Sequence, residues 1–360
     1  LARVLQISVR MKLRARIIFT FLTTFCFCAT NSAMAQTAEE CLKIGMQAEE
    51  AGDFKNAVEY YNLAIKAEPA LATAWYNRGI ARTKLKQYSL AVVDLNKCIL
   101  IDTGFKEAYF SRALALWRTG NLQFALTDIS KYISYFPAHP EAREMRYLIA
   151  LEAEDWEVAI QDLKWREKNN PQSDNKKQLA ILYEKLGKSD NAVYYMEQAL
   201  SLSPDNNELQ LEAAAMFQRI GIYQRSLDYL NRILLNEDVS EYIKQEVQHL
   251  KADNYFFMKD YASAADIYTT LLQKDTGNAN IMADYGHCLL QQEKFNEAEI
   301  VLTRALKMKN MSPAYAYLGR GLARLKLERG AEACEDWEKS YKLGEKTAKK
   351  YLDIYCDKKE

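Results

Sequence analysis

The chain has 360 residues, with 48 basic against 48 acidic side chains, 49% hydrophobic and 27% charged positions. That is a folded composition, too long for one ordinary core. Only 6 Pro and 13 Gly occur, too few turn-formers for an all-β chain, so two conventional domains or one repeat array remain.

Residues 1–35 carry Arg3, Arg10, Lys12, Arg14 and Arg16 but no acid, then an apolar run from Ile17 to Ala29. Small residues at Ala33 and Ala35 complete the pattern of a signal peptide cleaved after Ala35. The apolar run is too short for a bilayer that needs roughly 20 residues. Cys26 and Cys28 follow Thr23 and Phe25 at the third position before them, which argues against a lipid anchor. Removal of this leader leaves a net charge of about −5. The expectation is an exported chain, periplasmic if the source is Gram-negative and secreted otherwise, with no membrane span.

A period of 34 residues follows. Pro69, Pro137, Pro171 and Pro204 are separated by 68, 34 and 33 positions, and proline marks a helix break because it lacks the amide donor and clashes with the preceding turn. With each such proline at position 32, nine units start at Ala38, Ala72, Lys106, Pro140, Ser173, Asn207, Gln245, Ala279 and Ala314. Position 20 then reads Ala57, Ala91, Ala125, Ala159, Ala192, Ser226, Ala264, Ala298 and Ala333. Position 8 is Gly45, Gly79, Gly286 or Gly321 in four units, and position 24 is large and apolar, from Tyr61 to Trp337. Gly52, Gly120, Gly187 and Gly221 share position 15, where a first helix must stop and turn. Small residues in register let two antiparallel helices cross closely.

On these residues the chain resembles the tetratricopeptide repeat family, with its W-x₂-L-G-x₂-Y…A-x₃-F…P pattern. Trp75 and Gly79, then Gly45, Ala57, Tyr61, Ala64 and Pro69, then Tyr183, Ala192, Ala199 and Pro204 carry the likeness across residues 38–347. The resemblance implies an all-α superhelix, or solenoid, of nine helical hairpins. Unit four departs from it with Tyr147 at position 8 and Arg166 at position 27, so its helix pair is expected to pack differently. Four extra residues around Asn236–Lys244 are read as a lengthened loop or helix, with a bend in the array as the alternative.

Beyond Gly344, Ala348, Tyr351, Leu352 and Tyr355 recur at helical spacing, which predicts a capping helix within residues 345–360. Cys334 and Cys356 lie at near-equal distances from Gly344. In an antiparallel hairpin such residues face each other, so a disulfide is one reading and two separate thiols the other. Cys41, Cys98 and Cys288 read as small core fillers.

No catalytic motif is present. Gly187-Lys188-Ser189 has Leu182 where a phosphate-binding loop requires glycine. His249 and His287 fall on first helices of consecutive units. With only Asp253 near them in sequence, no metal site and no cofactor are expected. No lysine or arginine stripe suits nucleic acid.

In the resembled family, positions 2, 5, 9, 12 and 13 of the first helices line a ligand groove. The resemblance therefore implies a groove of Tyr76, Ile80, Phe110, Leu114, Trp117, Arg118 and Glu144, and a second surface of His249, Asp253, Phe256 and His287. The family's carboxylate clamp is not implied, because Leu42, Met46 and Glu107 stand at its positions. The reading is a non-enzymatic scaffold for a protein or peptide partner in the cell envelope. The alternative is a self-associating or structural subunit of an envelope secretion or outer-membrane assembly complex.

Overall fold

A computed structural model describes residues 37–308 and 313–356; the expected signal peptide, residues 1–35, lies outside them. Nineteen α-helices occur among the described residues, packed as successive antiparallel hairpins. The chain divides into two compact units, up to Trp165 and from Arg166 onward.

The first unit contains α1 (Ala38–Glu50) with α2 (Phe54–Ala67), α3 (Ala72–Lys84) with α4 (Tyr88–Ile101), and α5 (Lys106–Arg118) with α6 (Leu122–Tyr135). Next come α7 (Pro140–Glu152) and α8 (Trp156–Asn169), in which the division between units falls. The second unit contains α9 (Ser173–Lys185) with α10 (Ser189–Leu202), α11 (Asn207–Arg219) with α12 (Tyr223–Leu235), and α13 (Glu241–Phe257) with α14 (Tyr261–Lys274). It continues with α15 (Ala279–Gln291) and α16 (Phe295–Leu306), α17 (Ala314–Lys326) and α18 (Gly330–Lys342), and α19 (Thr347–Tyr355).

Local chemistry explains the helix starts. Thr37 and Glu40 form a reciprocal capping box, each side chain accepting from the other's backbone amide. Asp53, Asn206, Asp260 and Asn278 accept from the amide three residues on. Pro140 occupies the first turn of α7, where its missing amide costs nothing.

Each hairpin closes on a residue with positive φ at position 15. Glycine supplies it at Gly52, Gly120, Gly187 and Gly221, whereas Lys86, Glu154, Lys259, Glu293 and Glu328 adopt it with φ between 54° and 65°. The turn geometry is therefore uniform even where the sequence does not show it.

All nine position-20 residues have zero exposure. Ser226 differs in chemistry only: its hydroxyl accepts from the Asn254 amide at 2.8 Å, tying α12 to the following first helix. The glycines at position 8 touch the large residue 16 positions on. A Cβ on Gly79 would lie 2.9 Å from Leu95 Cγ, and one on Gly286 2.6 Å from Leu302 Cγ. In the fourth hairpin Tyr147 replaces the small residue and is buried.

A buried arginine–aspartate pair recurs at the same 16-residue offset. Arg78 grips Asp94 through Nε and Nη2 at 2.9 and 2.6 Å, while its Nη1 donates to Asn62 of the preceding hairpin at 2.7 Å. Arg112 does the same with Asp128 and Asn96, Arg146 with Asp162 and Ser130, and Arg320 with Asp336 and Thr303. Each guanidinium thus links its own hairpin to the one before it.

The extra four residues between the sixth and seventh units lengthen a helix. α13 has 17 residues and begins at Glu241, not Gln245, with the Ser240 hydroxyl accepting from the Ile243 amide. Val239 is buried beneath this added turn and anchors it.

Two stability outcomes follow from position 20 and position 15. Ala125→Leu overpacks a crossing with no spare volume and is expected to cost about 1–3 kcal/mol, read as a lower urea midpoint. Lys86→Gly relieves a left-handed backbone that costs roughly 1–2 kcal/mol, less about 0.4–1 for the freer unfolded chain, so the same assay should show a small gain.

Candidate functional site

Within each unit, consecutive first helices lie side by side, and their side chains meet at an offset of 35 residues. In the first unit Trp117 Nε1 donates to Glu152 Oε2 at 2.9 Å. In the second, Arg219 Nε donates to Glu184 Oε1 at 2.6 Å, and Lys177 Nζ lies 3.2 Å from Glu212 Oε2. His249 Nε2 lies 3.0 Å from Asp284 Oδ2 by the same offset.

The last pair lines a hollow of about 300 Å³ in the second unit, formed by Gln218, His249, Asp253, Phe256, Phe257, Tyr268, Asp284, His287 and Tyr315. His249 and Asp253, four residues apart on α13, share a face, with His249 Nε2 3.8 Å from Asp253 Oδ1. The buried Tyr268 hydroxyl donates to Asp253. Neither lysine nor arginine lines the hollow.

Electrostatics differ sharply between the two imidazoles. The hydrogen bond to Asp284 raises the His249 pKa above its ordinary value, against the opposing effect of burial. Desolvation raises Asp253, with His249 and the Tyr268 hydroxyl pulling it back. His287 is only 6% exposed, and burial lowers its pKa. Its Nε2 lies 3.1 Å from the Tyr315 carbonyl oxygen, which can only accept, so Nε2 carries the proton. Its ring stacks on Tyr315 at 3.7 Å.

The other predicted groove residues lie on α3, α5 and α7 in the first unit. Tyr76 is half-buried against Phe105 at 4.7 Å, and Phe110 against Tyr132 at 5.1 Å and His139 at 6.0 Å. Trp117 is held by Glu152 and carries Arg118 over its ring at 5.0 Å. Ile80 and Leu114 are half-buried, and Arg118 and Glu144 are exposed. The first-unit rings are therefore packed along one edge and open along the other.

At the far end of the second unit, α19 lies on α18. Trp337, with zero exposure, stacks on Tyr351 at 5.1 Å, beside the fully buried Ala348. Cys334 and Cys356 are joined as a disulfide with a Cα–Cα distance of 5.8 Å. Cys41, Cys98 and Cys288 are buried, and desolvation pushes the Cys98 and Cys288 thiols up to about 12. No described helix is long and apolar enough to cross a membrane.

Tetratricopeptide repeat family models match residues 42–97, 178–206 and 258–330. The chain is a tetratricopeptide repeat protein. Among curated proteins, stress-induced-phosphoprotein 1 of Caenorhabditis elegans is 37% identical over 54 residues, 15% of this chain and 17% of that protein. The chain thus spans under a fifth of the curated relative it matches. Among solved structures, Naa15/Naa10 bound to HypK-THB is 12% identical with a TM-score of 0.57, covering 88% of this chain and 66% of that one. YrrB, a tetratricopeptide protein with an unusual peptide-binding site, is 16% identical with a TM-score of 0.42, covering 52% of this chain and 96% of that one.

Within the tetratricopeptide register, the second hollow joins residues at positions 2, 5, 9, 12 and 13. Asp284 escaped sequence reasoning because it sits at position 6, outside the ligand columns. The signal that reveals it is the 35-residue offset, which pairs position 5 of one first helix with position 6 of the next. His287, placed from sequence on the same surface as His249, gives its Nε2 proton to a backbone carbonyl.

His287 yields a pH prediction. Because its folded pKa is lowered, the neutral ring is the stable form, so stability falls as pH drops through the unfolded value of about 6.5. Gly319 makes room for the ring: a Cβ there would lie 2.6 Å from His287 Nε2. Gly319→Ala should displace the ring, and an NMR titration should show His287 moving up toward its ordinary pKa.

Proposed function

We propose that this protein is a non-enzymatic scaffold that holds an extended or helical segment of a protein partner against its first helices. The observation that carries the reading is the hollow of the second unit, where partly exposed aromatic rings surround acidic and imidazole groups on three successive first helices. Phe257 is 52% exposed and Tyr315 39%. Rigid rings bury much area at low entropic cost, and the nearby charges fix orientation. Mechanistically, packed hairpins preorganise these groups, so binding requires little ordering of the protein itself.

The proposal extends to an exported compartment such as the cell envelope. Two observations support it: the basic-apolar-small pattern of residues 1–35, and the Cys334–Cys356 disulfide, a bond that persists in oxidising surroundings.

A photo-crosslinking residue at Phe257, compared with one at Ile300 on a second helix, tests the surface in living cells. The expected outcome is a specific adduct from position 257 and none from 300. The Phe257→Ala protein should then bind the purified partner segment at least about tenfold more weakly with unchanged helicity. Equal adducts from both positions, or unchanged affinity, would refute the assignment. A crosslink only to a second copy of the chain would replace it with self-association.

A further inference from the structure

We propose that His249, Asp253 and Asp284 form a binding site for one divalent first-row transition ion, zinc being the type case. This site does not depend on the peptide-binding reading. His249 Nε2 lies 3.0 Å from Asp284 Oδ2 and 3.8 Å from Asp253 Oδ1, and one ligand atom from each residue falls within 4.8 Å of the others. For bonds of about 2.0–2.2 Å, neighbouring ligand atoms lie about 3.4 Å apart in a tetrahedron and about 3.0 Å in an octahedron. The two imidazole–carboxylate distances bracket those edges, and the gap between the two carboxylates, within 4.8 Å, has to narrow when an ion binds.

Three further features favour an ion here. Two ligands come from one helix at an i, i+4 spacing and the third from the first helix of the next hairpin. The buried Tyr268 hydroxyl donates to Asp253, as residues behind metal-bound carboxylates do. Two carboxylates face one ligating imidazole with no lysine or arginine in the lining, which a dication would neutralise.

The ion takes the place of the proton between His249 Nε2 and Asp284. Mixed nitrogen and oxygen donors select a zinc-like ion over calcium or a thiophilic metal. His287 lines the same hollow but is not among the residues whose ligand atoms lie within 4.8 Å of one another. The fourth position opens into the hollow, where water or a partner's side chain can complete the coordination.

The test is a titration of the chelator-stripped full chain with Zn²⁺ by calorimetry and with Co²⁺ by visible absorption. One equivalent should bind. His249→Gln and Asp284→Asn should each abolish saturable binding, and Tyr268→Phe should weaken it about tenfold. His139→Gln, in the other unit, should bind as the unmodified chain does, and circular dichroism checks that every variant is folded. The wild-type Co²⁺ spectrum should show d–d bands of nitrogen and oxygen ligation, a readout that needs no variant. Thiolate charge-transfer bands, absence of a saturable equivalent, or undiminished binding in folded His249→Gln would each overturn the assignment.

Discussion

The structure depends on how closely two antiparallel helices can approach. Zero exposure at every position-20 residue, and glycine against Tyr61, Leu95, Leu302 and Trp337, show crossings with no volume to spare. A helix interior would otherwise favour alanine over glycine by about 1 kcal/mol. The glycines at position 8 therefore reflect steric necessity imposed by their partners. Once one crossing is fixed, the next hairpin has a defined surface to dock on, and repetition follows.

The arginine–aspartate pairs give that docking a direction. Nonpolar packing alone tolerates sliding by a turn, because one row of methyl groups resembles the next. A buried guanidinium that must satisfy an aspartate in its own hairpin and a polar side chain in the preceding one does not tolerate it. Asp94 and Asp336 are fully buried and each also accepts from a second arginine one turn on, Arg82 at 2.7 Å and Arg324 at 2.9 Å, so what Arg78 or Arg320 would lose on sliding is its bond to the preceding hairpin. These pairs restrict register more than they add stability.

How much of this was legible in the sequence depends on the physical signal. The period, the small column and the proline breaks were visible because each is a one-residue requirement repeated along the chain. The left-handed turns were half visible: glycine marks four of them, while lysine or glutamate adopts the same φ in five. The arginine–aspartate columns were missed because they satisfy hydrogen bonds, which hydropathy does not register. Asp284 was missed because its meaning arises only when two first helices lie side by side. The half-packed state of Phe110 and Trp117 was also hidden, since a ring at helical spacing serves core and surface equally.

The cysteine pair at α18 and α19 bears on how the second unit comes apart. Arrays held by neighbour contacts loosen from their margins, where each hairpin has one partner instead of two. A covalent tie at one margin blocks that route and, by closing a 22-residue span, contributes roughly 3 kcal/mol through the restricted unfolded chain. Unzipping of this unit must then start elsewhere along its length. Reducing agents would act as a solvent-borne trigger that releases the latch.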